Sequence, residues 1–150
     1  MNNKQKLALA VVVVAALVYV YGQGGLSPQV QHPAESEPSA SDAALAQAYE
    51  RHASNLQVEG QGVVRKILFD DSSGSRHQKF IVKLNSGQTL LISHNIDLAP
   101  RVSPLNKGDT VLFCGEYDWN EDGGVIHWTH HDPARRHSPG WIKRSGQTFQ

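Results

Sequence analysis

Residues 61–93 read QGVVRKILFDDSSGSRHQKFIVKLNSGQTLLIS and contain three short runs that are typical of β-strands. Within this stretch HQKFIVKL alternates, so that Phe80, Val82 and Leu84 share one face of the predicted strand. The clusters DDSSG and NSG that separate the runs contain the residues of tight turns. The stretch therefore predicts three strands joined by two turns.

The pattern continues toward the C-terminus with two more predicted strands. Pro100 and Pro104 leave room for at most one helical turn before the fourth strand. That strand is TVLFCGEY at 110–117, and the fifth is VIHWTHH at 125–131, with a hairpin tip of NEDGG between them. Three strands, a crossover and two strands are the order of an OB-type barrel. We predict a mainly β fold, a small five-stranded OB-like barrel, with a small β-sandwich or an SH3-like barrel as the alternative.

An apolar run without a charge occupies residues 7–21. Lys4 and Lys6 precede it and the next Lys or Arg is Arg51, so the positive-inside rule places the N-terminus in the cytoplasm. The tyrosines that end the run suit a membrane interface better than a cleavage site. We predict a signal anchor and transmembrane segment over 1–22 in the bacterial inner membrane, with the rest of the chain in the periplasm. A cleaved signal peptide and a buried soluble helix are the alternatives.

Three further segments follow the predicted anchor. Residues 23–41 are rich in Gly, Ser, Pro, Gln and Glu, which predicts a disordered linker. Residues 42–55 contain AALAQAYERHA after Ser41 and Asp42, which predicts a short capped helix that serves as a spacer or a lid. We assign residues 56–150 to the barrel domain.

Charge and length limit the function classes. Lys plus Arg and Asp plus Glu are each 14, so the formal net charge is zero and no global field recruits a polyelectrolyte. A chain of 150 residues with one small domain excludes a multidomain enzyme. Cys114 is the one cysteine and lies in a predicted strand, which favours a small buried core residue over a reactive thiol.

Histidine is frequent where the predicted strands end. Hairpin geometry puts the start of the second strand beside the end of the third, and the fifth strand reaches the same rim of an OB-type barrel. Imidazole is a common ligand of zinc and related divalent transition metals. The candidate metal ligands are His77, His94, His127, His130 and His131, with Asp97, Glu116 or Asp132 as a carboxylate partner. The alternative is that these histidines only hydrogen-bond to backbone carbonyl groups.

The same rim carries the candidate binding residues. They are Arg76, His77, His94, Asp97, Arg101, Trp128 and Asp132. OB-type barrels bind single-stranded nucleic acid or oligosaccharide through aromatic side chains beside basic residues, so both are candidate partners. Alternation predicts, however, that Trp128 shares a strand face with Ile126, which is more typical of a core residue.

Three motifs are the most specific parts of the chain: RHQKF at 76–80, HNIDLAPR at 94–101 and HWTHHDP at 127–133. Together with the strands around them they resemble a family of short bacterial exported or membrane-anchored proteins that carry a domain of unknown function. The resemblance covers about 61–141. It implies a membrane-targeted single domain and no particular activity.

These observations predict a membrane-tethered, extracytoplasmic OB-like binding domain with a histidine-rich site for an unidentified ligand or envelope partner. The alternative is a metal-dependent hydrolase, such as a phosphodiesterase or nuclease, that uses the same histidines. No glycine-rich phosphate loop and no serine nucleophile elbow occurs in the sequence. Acidification from about pH 7.5 to 5 is expected to weaken the fold, because clustered histidines depress one another's pKa.

Overall fold

The computed structural model of the protein describes residues 39–150. The predicted anchor over 1–22 and residues 23–38 of the predicted linker lie outside the described residues. In the described part, no helix combines the length and the apolar character needed to cross a bilayer. Residues 39–150 contain one α-helix and seven β-strands.

Five of the strands close into a barrel. They are β1 (Leu56–Ile67), β2 (His77–Lys83), β3 (Thr89–Asn95), β4 (Thr110–Asp118) and β5 (Val125–His127). β1 pairs antiparallel with β2 and β4, β2 with β3, and β4 with β5, while a parallel pairing of β3 with β5 closes the ring. The predicted mainly β, five-stranded barrel is confirmed, and it is closed.

Alternate side chains of each strand fill the barrel interior. In β2, Phe80 and Val82 are fully buried, whereas Lys79 lies on the partly exposed outer face. Burial of one such apolar side chain contributes about 1.5–3 kcal/mol relative to leaving it in water. A Cβ at Gly60 of β1 would lie 2.5 Å from Cζ of the buried Phe113 ring. Glycine is therefore required where β1 crosses that ring.

The helix differs in its bounds from the prediction of 42–55. α1 spans Ala40–Glu50. Its N-cap is Ser39 rather than Ser41, and the Ser39 side chain accepts a hydrogen bond from the backbone N–H of Asp42 at 3.1 Å. A serine oxygen in this position satisfies one of the free N–H groups of the first helical turn.

α1 contacts the barrel through two kinds of interaction. Leu45 and Ala48 are buried in the same hydrophobic cluster as the barrel core. The carboxylate of Asp42 accepts a hydrogen bond from the backbone N–H of Ser86, in the turn between β2 and β3, at 3.0 Å. The helix is therefore an integral part of the folded domain and not a spacer ahead of it.

Two unpredicted strands extend the sheet beyond the barrel. β6 (Trp141–Arg144) pairs with β4, and β7 (Gln147–Phe149) pairs with β6. Ser145 and Gly146 form the turn between them, with φ of 48° and 80°. Positive φ at both central residues is the geometry of a type I′ hairpin, for which the Ser-Gly pair between two short β-prone runs is the sequence signal.

The fifth strand ends earlier than the predicted 125–131. β5 stops at His127, because Trp128 adopts φ of 51°, a left-handed conformation that interrupts the pleat. The alternation predicted beyond this point is wrong, since Thr129 and His130 are both buried. Residues 128–140 form a loop instead.

Candidate metal centre

A group of acidic and histidine side chains lies on the outer face of β4 and β5. Glu116 and Asp118 are two residues apart in β4, so their side chains point to the same face. His127 is the direct register partner of Glu116 across the β4–β5 pair. One ligand atom from each of the three residues lies within 4.8 Å of the other two, and among residues 39–150 no other histidine, cysteine or carboxylate group of three converges in this way. We call Glu116, Asp118 and His127 the β4–β5 cluster.

A hydrogen bond joins two of the three members of the β4–β5 cluster. His127 Nε2 lies 2.8 Å from Asp118 Oδ2 and 3.7 Å from Glu116 Oε1. Because a carboxylate only accepts hydrogen bonds, Nε2 carries the hydrogen in this arrangement. The side chains of Asp118 and His127 are each 32% exposed and that of Glu116 is 19% exposed, so water screens their charges only in part. His127 Nε2 is thus hydrogen-bonded to Asp118 and close to, but not hydrogen-bonded to, Glu116.

Gly115 allows β5 to approach β4 at the cluster. A Cβ on Gly115 would lie 2.4 Å from the backbone oxygen of His127 and 2.9 Å from Cγ2 of Thr129. Any larger residue would push the end of β5 outward. The absence of a side chain at Gly115 thus keeps His127 within reach of the β4 carboxylates.

A second histidine reaches the cluster from the loop over 128–140. His137 Nδ1 lies 3.4 Å from Glu116 Oε2, on the other carboxylate oxygen from the one that faces His127. The His137 ring stacks on the indole of Trp128, with centroids 3.7 Å apart and an interplanar angle of 12°. Trp128 therefore supports His137 from a half-buried position, and the prediction that it shares a core face with Ile126 is wrong.

Asp132 holds the loop that carries His137. Its Oδ1 accepts a hydrogen bond from the backbone N–H of Ala134 at 2.8 Å, and its Oδ2 accepts from Arg136 at 2.7 Å and from His137 at 3.1 Å. These bonds, the one from Arg136 foremost, hold the pKa of the Asp132 carboxyl below its usual value. Asp132 was predicted as a ligand-binding residue, but the structure uses both of its oxygens to brace the loop.

His94 faces the barrel interior, away from the β4–β5 cluster. The ends of β2 and β3 do meet, but the register offsets His77 from His94 by one residue, so the two side chains point to opposite faces. His94 is fully buried, its Nε2 donates to the carbonyl of Pro100 at 3.0 Å, and its Nδ1 accepts from the Thr129 hydroxyl at 2.8 Å. Burial lowers the pKa of His94 from 6.5 to about 4, although the bond to Pro100 opposes this change. The prediction of a site shared by His77 and His94 is wrong, because both ring nitrogens of His94 are used inside the barrel.

The other predicted histidines do not converge with the cluster carboxylates. His77 and His130 line a cavity of about 110 Å³ together with His127. His77 Nδ1 bonds to the carbonyl oxygen of Ser75 at 2.8 Å, and His130 Nδ1 bonds to that of His131 at 2.7 Å. The side chain of His131 is exposed. Of the five predicted histidines, only His127 is joined to two carboxylates within the described residues.

Three predicted binding residues form ion pairs between two loops of the barrel. Arg76 Nε lies 2.7 Å from Asp97 Oδ1, and the backbone N–H of Arg76 donates to Asp97 Oδ2 at 2.7 Å. These bonds, with the backbone bond as the largest cause, lower the pKa of Asp97. Arg101 pairs with Asp70. The pairs join the β1–β2 loop to the crossover between β3 and β4. The charges of these residues are therefore already paired within the protein.

Cys114 lies on β4 close to the cluster but does not contribute to it. The residue is 6% exposed, and Gln57 Nε2 donates to its Sγ at 3.1 Å. Burial raises the pKa of the Cys114 thiol. Because a thiol binds metal only as the thiolate, the donors available here are nitrogen and oxygen.

Two members of this site were missed in the sequence. Asp118 was not predicted, although Glu116 and Asp118 alternate on the strand that leads into the hairpin tip at 120–124. Counting back across that hairpin places both near His127. His137 has no comparable signal, because its contact with Glu116 depends on the path of the 128–140 loop.

The fold and the cluster define a small closed β-barrel domain with a mixed histidine and carboxylate group on its outer face. Residues 30–150 match the family model described as Protein of unknown function (DUF3465), and the chain belongs to this family. No curated protein matches the chain. The resemblance to a family of unknown function is thus confirmed, and the family description assigns no activity.

Proposed function

We propose that the domain is a binding module whose β4–β5 cluster takes up a divalent transition metal of the zinc type. The observation that carries this proposal is the convergence of His127, Glu116 and Asp118 within 4.8 Å. An ion bound at about 2.0–2.2 Å to each donor separates tetrahedral donors by about 3.4 Å. The distances of 2.8 and 3.7 Å from His127 Nε2 to the two carboxylates bracket that value. Imidazole nitrogen and carboxylate oxygen are both ordinary zinc ligands.

His137 is the candidate fourth ligand. Its Nδ1 lies 3.4 Å from Glu116 Oε2, the carboxylate oxygen that does not face His127, so His137 would join the same ion where Glu116 binds it through both oxygens. The stack on Trp128 and the loop held by Asp132 limit the positions that the His137 ring can adopt. A metal on His127 Nε2 requires the neutral ring with its hydrogen on Nδ1, so protonation of the imidazole competes with the ion and we expect binding to weaken as the pH falls.

Metal binding is tested by zinc titration of the purified full-length protein after removal of metal. We expect one zinc ion per chain, and an affinity at least about tenfold lower in His127→Ala and in Asp118→Asn. His131→Ala is the matched control, because it removes an exposed histidine of the neighbouring loop that is not part of the cluster. A wild-type protein that binds no stoichiometric zinc, nickel, cobalt or copper would contradict the proposal, as would equal losses in His127→Ala and His131→Ala.

The proposed module is OB-like, tethered to the inner membrane and exposed in the periplasm. The support for this part is the uncharged run at 7–21 behind Lys4 and Lys6. A reporter fused after Gln150 and active only outside the cytoplasm is expected to be active, and the protein is expected to sediment with membranes. Release of a soluble domain with a new N-terminus near Gly22 would show that the run is a cleaved signal peptide.

The hydrolase alternative requires a substrate surface and a metal-bound water in addition to the ion. No contact within the described residues favours hydrolysis over metal binding alone. Hydrolysis, and binding of nucleic acid or oligosaccharide, therefore stay predictions from the sequence.

A further inference from the structure

A cavity of about 600 Å³ opens in the loop next to the proposed metal centre. Its lining residues are His131, Asp132, Pro133, Arg135, His137 and Pro139. The volume falls within the range of about 300–1,000 Å³ that is typical of sites for small molecules. His137 belongs to the wall of the cavity and also contacts Glu116, so the cavity adjoins the β4–β5 cluster.

The cavity lining carries one fixed negative charge, on Asp132, and one fixed positive charge, on Arg135, and of the two only the guanidinium has no partner within the described residues. Asp132 is the one carboxylate among the lining residues, and three backbone N–H groups already occupy its oxygens. Arg135 has no carboxylate within 4.0 Å in the part of the chain that the structure describes, which is also true of Arg51, Arg65 and Arg136, but Arg135 is the one of these four that lines the cavity. A guanidinium that is not paired within the protein can bind a phosphate or carboxylate group through two parallel hydrogen bonds.

The backbone at Arg135 is also unusual for an arginine. Its φ is 56°, in the left-handed region that favours glycine. The residue ends a turn in which its N–H donates to the carbonyl of Asp132 at 3.0 Å, and Pro133 fixes the φ of the second position. A glycine would satisfy this turn without strain. The geometry of the turn therefore does not require an arginine at this position.

We infer that this cavity binds the phosphate or carboxylate group of a small molecule, with Arg135 as its charged contact and His131 and His137 as further hydrogen-bond partners. The volume leaves room for an organic body beside the oxyanion, which favours a phosphomonoester or an organic acid over a bare inorganic ion. The inference goes beyond the metal site and does not require it, because the guanidinium is charged whether or not an ion occupies the cluster.

The test is a calorimetric titration of the full-length protein with glycerol 3-phosphate and, separately, with succinate, at constant ionic strength. Metal is removed on a chelating resin, because a soluble chelator is itself a polycarboxylate. We expect saturable binding of at least one of the two anions, and the stronger of the two identifies the oxyanion group. Arg135→Gln should weaken this binding by about tenfold or more, as for loss of a charged bidentate contact.

Arg136→Gln is the matched control, since it removes the same charge one residue away and outside the cavity lining. Its affinity should stay within about threefold of wild type, which is less than 1 kcal/mol and thus an effect of general charge. Arg135→Gly provides a second variant that keeps the left-handed turn, and it should lose binding as Arg135→Gln does.

Two outcomes would overturn the inference. One is an absence of saturable binding of either anion by the wild-type protein, and the other is an equal loss in Arg135→Gln and Arg136→Gln. His127→Ala should bind the anion as the wild type does in this metal-free titration. The result therefore stands independently of whether the cluster takes up zinc.

Discussion

His94 makes the stability of the barrel depend on pH. The ring is fully buried and uses both nitrogens, with Pro100 and Thr129 as partners. Burial lowers the pKa of His94 from 6.5 to about 4, so the folded protein resists protonation of this ring. Because the unfolded chain binds the proton more readily, the free energy of unfolding falls as the pH drops from about 6.5 to about 4 and is constant with respect to this group above pH 7.

The size of this effect follows from the two pKa values. The difference between 6.5 and about 4 corresponds to about 3 kcal/mol once both states are protonated, and to about 2 kcal/mol between pH 7.5 and 5. Burial is the main cause, and the charges of His130 and His77 are smaller ones, so mutual repulsion of histidines is not the principal reason. Three carboxyl groups also have a lowered pKa: Asp97, Asp109 and Asp132. Their contribution to the free energy of unfolding is lost as the pH falls below their usual pKa of 3.8, which lies outside the range from pH 7.5 to 5.

Urea unfolding of the full-length protein between pH 7.5 and 5, with metal removed, measures the effect. With a slope of about 1–3 kcal/mol/M, the midpoint should fall by roughly 1 M over this range. His94→Gln retains an amide donor for Pro100 but does not titrate, so it should be less stable at pH 7.5 and lose less stability on acidification. His131→Gln, at an exposed position, should keep the wild-type dependence. A flat wild-type midpoint, or an unchanged pH dependence in His94→Gln, would refute the reasoning.

Substitutions at three positions test the packing around the site and the helix. Gly115→Ala should lower the free energy of unfolding, measured in urea, by about 1–3 kcal/mol and should weaken zinc binding, because the new Cβ meets the backbone of His127. An unchanged stability and zinc affinity would show that β5 can shift freely. Leu45→Ala should lower the free energy of unfolding by about 2–5 kcal/mol, since the side chain is fully buried in the core cluster. A loss under about 0.5 kcal/mol would mean that the stability of the barrel does not depend on α1. Asp132→Ala should reduce zinc affinity by about tenfold through loss of the brace on His137, whereas Asp132→Asn keeps one acceptor oxygen and should lose less. Equal calorimetric affinities of the two Asp132 variants would contradict the bracing role.

The sequence alone determined the barrel, because the signals that specify it are local. Alternation from Phe80 to Leu84 identifies the inner face of β2, and the Asn-Ser-Gly turn fixes its hairpin partner β3. The prolines between β3 and β4 exclude a long helix there. The chain then has three strands, a short crossover and two strands, which is a sequence of elements that suits a closed barrel. Each of these inferences depends on neighbours within a few residues along the chain.

The site was decided only by the tertiary structure, because its members meet through register and loop path. The alternation of β2 places His77 on the outer face, but the apolar run Leu90-Leu91-Ile92 of β3 does not alternate, so only the register shows that His94 points into the barrel. The left-handed φ of Trp128 ends β5 and redirects the following loop, so that His137 stacks on Trp128 and meets Glu116, twenty-one residues earlier in the chain. Contacts over such separations depend on the packing of the whole barrel, whereas the periodicity of a sequence reports only which residues share a face.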